Sequence, residues 1–171
     1  MKDFNKRRSI RMYKDIPIEE EKLNMIIRNA LIAPSSRGKR PWEFIVVSDK
    51  STLENLSLAR EHGSSFIKNA AVAIVVVVDY EKCDVWIEDA SIAAYTVQLS
   101  AFNLGIESCW IQIREREHSH IESAEIYIKK ILHVPENFKV ECIIALGYSD
   151  EEKNAYTDAD MDFSKIHNNK F

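Results

Sequence analysis

The sequence predicts an α+β domain, one sheet with helices packed on it. Three observations carry that expectation. Residues 71–78, AVAIVVVV, are a continuous and largely β-branched run, the pattern of a strand buried on both faces. Residues 88–104 are apolar on nearly all sides and stop at Gly105, which suits a helix at the centre of the fold or in a subunit interface. The strand and helix candidates do not alternate strictly, which argues against a regular doubly wound sheet.

Taken in order, residues 3–11 predict a short helix with Arg7 and Arg11 four apart on one face. Residues 19–32 predict a clearer one: Leu23, Ile26, Ile27, Ala30 and Leu31 repeat at amphipathic spacing, and acidic residues crowd the first turn. Pro34 ends it, and residues 34–41, PSSRGKRP, read as a loop. Residues 42–47 read as a strand. Ser51-Thr52-Leu53-Glu54 has the form of a capping box, with a helix running from there towards His62-Gly63. After the buried strand and the apolar helix, residues 108–113 read as another strand. Ser119-His120-Ile121-Glu122 suggests a second capping box, opening a helix to Leu132. Residues 138–146 are the last strand, closed by Gly147, and the tail from Ser149 is polar and weakly patterned. The total is about four strands and five or six helices.

A chain of 171 residues fits one domain, here residues 1–171, and four glycines with four prolines leave no flexible interdomain linker. With 46% hydrophobic and 29% charged residues the composition is that of an ordinary globular protein. A net charge of −4 argues against non-specific nucleic-acid binding, so the basic N-terminus is a local feature. Cys83, Cys109 and Cys142 are odd in number, far apart and flanked by apolar residues. They read as buried thiols in a reducing compartment, neither a disulfide framework nor a zinc site. The N-terminus is charged and has no apolar signal region, and the longest apolar run, 70–78, is too short to span a bilayer as a helix. No membrane association and a cytoplasmic location are therefore expected. Neither a GxGxxG nor a GxxxxGK[ST] sequence is present, and the five histidines lack metal-ligand spacing.

Four stretches carry candidate chemistry. Arg7-Arg8-Ser9-Ile10-Arg11 places three guanidiniums and a hydroxyl together, a donor set suited to phosphate; the alternative is a solvated basic arm. The loop Pro34-Ser35-Ser36-Arg37-Gly38-Lys39-Arg40-Pro41 offers donors and close backbone approach on a stiffened segment, against a plain helix-to-strand connection. Residues 105–111, GIESCWI, could lay backbone amides of a strand against a ligand edge, although Cys109 and Trp110 also suit a core. Lys165-Ile166-His167 forms a second, weaker cationic stretch. No catalytic triad or metal set can be picked out, and the residues alone stop at an α+β domain with a possible phosphate site.

These pieces, in this order, resemble the FMN-dependent nitroreductase family. The matching segments are "RRSIR" at 7–11, "PSSRGKRPWEF" at 34–44, "NAAVAIVVV" from Asn69, "GIESCWI" at 105–111 and "ALGY" at 145–148. The resemblance covers residues 7–148 and suggests a short, compact member. It implies a central, mostly antiparallel sheet flanked by helices, in a homodimer that binds FMN at the subunit interface. By similarity Arg7 and Arg8 hold the phosphate, and Ser9 and Arg11 reach the ribityl and pyrimidine side. Pro34, Ser35 and Ser36, with Gly38 and Arg40 in the same loop, come from the other subunit to the isoalloxazine ring. Backbone at Cys109, Trp110 and Ile111 approaches the N5 edge, and Lys165 with His167 closes on the phosphate. The implied reaction takes hydride from NADH or NADPH to flavin N5 and passes two electrons to a small acceptor such as a nitroaromatic or quinone. No side chain is required as general acid, and no metal is implied.

Gly38 and Arg40 stand where the family pattern has Asn and Gln, so two amides are lost and one cation gained, a change that points to an acidic substrate. Glu107 replaces a family glycine and is expected to point away from the ring. Two other readings stay open: a flavin-binding sensor or redox-partner module without turnover, and a nucleic-acid or scaffold protein using the basic arm. Net acidity and the lack of interleaved aromatics argue against the last.

Overall fold

The computed structural model describes residues 3–171. Four α-helices, α1 (Glu20–Leu31), α2 (Lys50–Ser57), α3 (Trp86–Asn103) and α4 (Ala124–Leu132), accompany six strands. The strands are β1 (Trp42–Val47), β2 (Val72–Asp79), β3 (Glu107–Gln112), β4 (Glu117–Ser119), β5 (Glu122–Ser123) and β6 (Phe138–Gly147). The main sheet has the order β1-β2-β6-β3, and every neighbouring pair is antiparallel. β4 and β5 form a small separate ribbon. The expected α+β class holds, and the sheet is antiparallel throughout.

β2 shows why its sequence carries no polar alternation. Ala73, Val75 and Val77 point into one core and Val72, Ile74, Val76 and Val78 into the other. Period-two geometry with both faces covered requires apolar residues at every position. β6 does the same with Val140, Ile143 and Ala145 on one side and Cys142, Ile144 and Leu146 on the other. A bulge opposite Val76 and Val77 leaves Glu141 as the extra residue of β6. α1 and α3 cover one face; α2, α4 and the N-terminal arm cover the other. α3 is central as expected, with Ala90, Ala93, Ala94, Val97 and Ala101 buried, and Gly105 beyond its end takes a φ of 80°. The three cysteines are free and buried.

Local readings needed correction in three places. Residues 3–11 are not a helix: only Phe4–Lys6 makes a 3-10 turn, and the chain then runs extended. Ser9 bridges Ser108 in parallel, and Ile10 donates its amide to the Ser108 carbonyl, so pairing with a sheet edge outcompetes a short isolated helix. α2 is capped by Asp49, whose carboxylate accepts the Thr52 amide at 2.8 Å, while Ser51 donates to Asp49. It also stops well short of His62, because Ser64 binds the Ser57 carbonyl at 2.8 Å and turns the chain. α4 is capped by Ser123, since Ser119 to Glu122 is taken up by the β4–β5 ribbon. Among the described residues no helix is long and apolar enough to cross a membrane.

Candidate functional site

The N-terminal arm is fixed by two buried anchors and by the start of the tail. Ile10 is buried, and Tyr13 donates its hydroxyl to the Ile10 carbonyl at 2.7 Å and to the Ala145 carbonyl at 3.3 Å. The Tyr13 side chain lies against Gly147: a Cβ there would sit 2.7 Å from the ring. Glu151 accepts the amides of Arg11, at 2.5 Å, and Met12, at 3.2 Å, which holds its carboxyl below the usual carboxylate range. Lys153 donates to the Ser9 carbonyl at 2.7 Å and pairs with Glu151 at 3.4 Å. Glu151 and Lys153 were absent from the sequence reading, because nothing local marks a residue that acts across some 140 positions.

This scaffold sorts the arginines. Arg8 turns to the tail, where its guanidinium donates to the Asn154 carbonyl and lies 4.4 Å from the centre of the Tyr156 ring. Arg7 and Arg11 have no ion-pair partner among the described residues; Arg11 is exposed, and its guanidinium lies 5.9 Å from the Phe66 ring centre. Ser9 lies half-buried beside the buried Cys109 thiol. Desolvation raises the pKa of that thiol, against the opposing pull of Arg11, Lys153 and Ser9.

β3 is the edge strand next to the arm. The Ser108 carbonyl faces outward to Ile10, and antiparallel alternation gives Trp110 the same orientation. Beyond the Ser9 bridge, the backbone of Trp110 therefore faces the open edge, while Cys109 and Ile111 bond inward to β6. The indole of Trp110 is held by a relay. Its N–H donates to Gln112 at 2.9 Å, Gln112 donates to Glu141 at 3.2 Å, and Glu141 lies 3.1 Å from the Arg114 guanidinium. That last contact is close but poorly aligned as a hydrogen bond, so charge holds it. Burial pushes the Glu141 carboxyl up. Glu107 lines a cavity of about 280 Å³ with Lys6, Arg8 and Glu151.

The loop after α1 is rigidly built. Ser36 donates its amide to Asp89, a buried carboxylate in the first turn of α3, at 2.8 Å. The other oxygen of Asp89 accepts the Cys83 thiol at 3.2 Å. Arg40 donates its amide to the Ser35 hydroxyl at 2.9 Å, and Gly38 donates its own to the Ser35 carbonyl at 3.1 Å. Arg37, Gly38 and Arg40 all take left-handed φ values, 54°, 66° and 46°. Pro34 is exposed, while Ser35 and Ser36 are half-buried. The macrodipole accounts for an acid at the α3 start, but the sequence did not show that Asp89 reaches back to this loop.

The tail beyond residue 153 is exposed throughout, with two 3-10 turns, Asp158–Asp160 and Phe163–Lys165. Lys165 pairs with Asp162 at 3.7 Å, and the His167 ring packs at a tilt against Phe171. Among the described residues of one copy, no hydrogen bond or ion pair brings Lys165 or His167 to the arm. Among the described residues no group of three or more His, Cys, Asp or Glu side chains could hold a metal ion.

The fold is an α+β domain, an antiparallel sheet between helix layers with a cationic extended arm beside the edge strand β3. Comparison with known proteins narrows it. The Nitroreductase family model matches residues 5–62 and 54–148. A solved structure of an FMN-dependent nitroreductase from Clostridium difficile R20291 is 57% identical, with a TM-score of 0.96, covering 98% of this chain and 97% of that one. A structure from Clostridium acetobutylicum, described as an NADH oxidase, is 32% identical with a TM-score of 0.87 and covers 98% of each chain. An Archaeoglobus fulgidus protein described as an NADH dehydrogenase/NAD(P)H nitroreductase is 37% identical, over 96% of this chain and 94% of its own. The chain belongs to the nitroreductase family.

Proposed function

We propose that this protein is an FMN-dependent oxidoreductase that works as a homodimer. It oxidises NADH or NADPH and passes two electrons to a small oxidised acceptor such as a nitroaromatic or a quinone. The observation that carries this reading is the placement of Arg7, Ser9 and Arg11 on an ordered arm beside the outward-facing backbone of Trp110. Two guanidiniums without ion-pair partners among the described residues suit a phosphate ester, and a hydroxyl and an outward amide suit the sugar-alcohol chain and the ring edge. The donor set therefore fits FMN. Arg7 holds the phosphate. Arg8 acts through the tail: its contacts with Asn154 and Tyr156 order the arm. Ser9 and Arg11 take the ribityl and pyrimidine side. The outward main chain of Trp110 meets the ring edge, flanked by Cys109 and Ile111, whose own backbone groups are bonded to β6. Bound FMN supplies the redox chemistry, which the chain supports by position and charge.

Dimerisation explains surfaces that one copy leaves exposed. Tyr156, Met161, Phe163, Ile166 and Phe171 of the tail are exposed, as are Met25, Leu31 and Ile32 of the α1 side and Ile92 and Tyr95 of α3. An 18-residue arm carrying five large apolar side chains is solvated at a cost unless a second copy covers it. In the dimer the loop with Pro34, Ser35, Ser36, Gly38 and Arg40 lies over the partner's flavin, and Lys165 and His167 approach its phosphate.

The test is direct. Purified protein should be yellow, release FMN by mass, elute as a dimer by light scattering, and oxidise NAD(P)H with a nitroaromatic or quinone. A yellow dimer without turnover would favour the sensor reading, and a colourless monomer would overturn both.

A further inference from the structure

We infer that the loop 34–40 selects an anionic electron acceptor, one carrying a carboxylate, sulfonate or phosphate beside its reducible group, and that Arg37, Lys39 and Arg40 recognise that charge. The inference rests on the reading above, in which this loop lies over the flavin of the other copy.

Charge distribution is the first observation. Residues 22–42 hold five cations, Lys22, Arg28, Arg37, Lys39 and Arg40, and no acid, in a protein of net charge −4. Arg37, Lys39 and Arg40 are exposed, and none has an ion-pair partner among the described residues. Lys22, at the edge of this stretch, pairs with Glu19, and elsewhere in the chain Lys129 pairs with Glu136 and Lys153 with Glu151.

Backbone is the second. Two of these cations, Arg37 and Arg40, occupy left-handed φ values that side-chain-bearing residues rarely adopt. A solvated basic face needs no such geometry. Here the strain is held by a closed set of bonds: Ser36 to Asp89, Arg40 to Ser35, Gly38 to Ser35 and Lys39 to Ser36. The loop therefore presents its charges from a fixed backbone, which lowers the entropy cost of binding. Space is the third. A Cβ at Gly38 would meet nothing within 4 Å, so the centre of the loop is open to a ligand. Arginine forks bind carboxylate and phosphate oxygens in pairs, which gives the site a preference for planar or tetrahedral oxyanions over neutral isosteres.

The same charge could be supplied by the dinucleotide donor, so the experiment separates the two sources. Binding of 4-hydroxybenzoate and of 4-hydroxybenzamide to the holoenzyme is read from the change in flavin absorption, at low and at 0.5 M salt. Reduction by NADH and by NADPH is followed separately by stopped flow. The benzoate should bind about tenfold more tightly than the amide at low salt. Arg37→Gln combined with Lys39→Gln should bring the two close to parity, and Arg37→Lys should keep most of the preference. Equal binding of the two ligands by yellow wild-type protein overturns the inference and leaves the proposed function standing. A preference untouched by the double substitution overturns it too, as does an effect confined to NADPH over NADH. Protein that binds no FMN overturns both.

Discussion

Asp89, in the first turn of α3, holds the amide of Ser36 at 2.8 Å while its other oxygen takes the Cys83 thiol. The buried central helix is thereby bonded to the loop that carries Ser35, Ser36 and Arg40. Asp89→Ala removes both acceptors and should cost about 1–3 kcal/mol of stability, as a lowered melting temperature. Asp89→Asn keeps a carbonyl for Ser36 and should lose less. If the loop lies over flavin, the alanine variant should also bind FMN more weakly than its stability loss alone explains.

Gly147 carries the Tyr13 ring, so an added methyl forces that ring off the strand. Gly147→Ala should destabilise by about 1–3 kcal/mol through overpacking. Because Tyr13 also bonds the Ile10 carbonyl, the change reaches Ser9 and Arg11. Thermal unfolding and FMN titration of the same variant should both show losses.

Glu151 gives the arm a dependence on acid. Its carboxyl is held below the ordinary 4.5 chiefly by the Arg11 amide, so its contribution is complete above 4.5 and is lost as pH falls through the depressed value. The phosphate ester of FMN itself takes up a proton at about pH 6, so the arm is better read by thermal stability of the flavin-free protein. There Glu151's share should persist down to about pH 4.5 and be lost below it. Glu151→Gln, which still accepts hydrogen bonds but does not titrate, should flatten that part of the profile.

All three thiols are buried, and burial raises each of their pKa values. Native protein should react with a thiol reagent such as DTNB only slowly at pH 8. Denatured protein should release three equivalents promptly.

The layers of the fold were legible because their signals are local and repeated. The run 71–78 had no polar position, which only a doubly covered strand explains, and α3 ended at a glycine that takes a left-handed φ. The caps were less legible. Ser51 and Ser119 fit the capping pattern, yet Asp49 and Ser123 took the role, because competing side-chain bonds and a short ribbon decide between candidates a few residues apart. Within the site, the arm, the loop and β3 could be found as separate stretches. The conformation of the arm could not, since the Arg7–Arg11 spacing suits a helix and says nothing of an edge strand waiting at Ser108. Glu151, Lys153 and Asp89 organise the site from far along the chain, and only the fold brings them there.

The measurement that bears most directly on the central claim is the dissociation constant of the flavin-stripped protein for FMN and for riboflavin, with and without Arg7. Arginines on an ordered arm that hold a phosphate ester predict a preference for FMN on the order of a hundredfold, largely lost in Arg7→Ala. Equal affinity for the two flavins in the wild-type protein, or a preference that survives Arg7→Ala intact, would contradict the account.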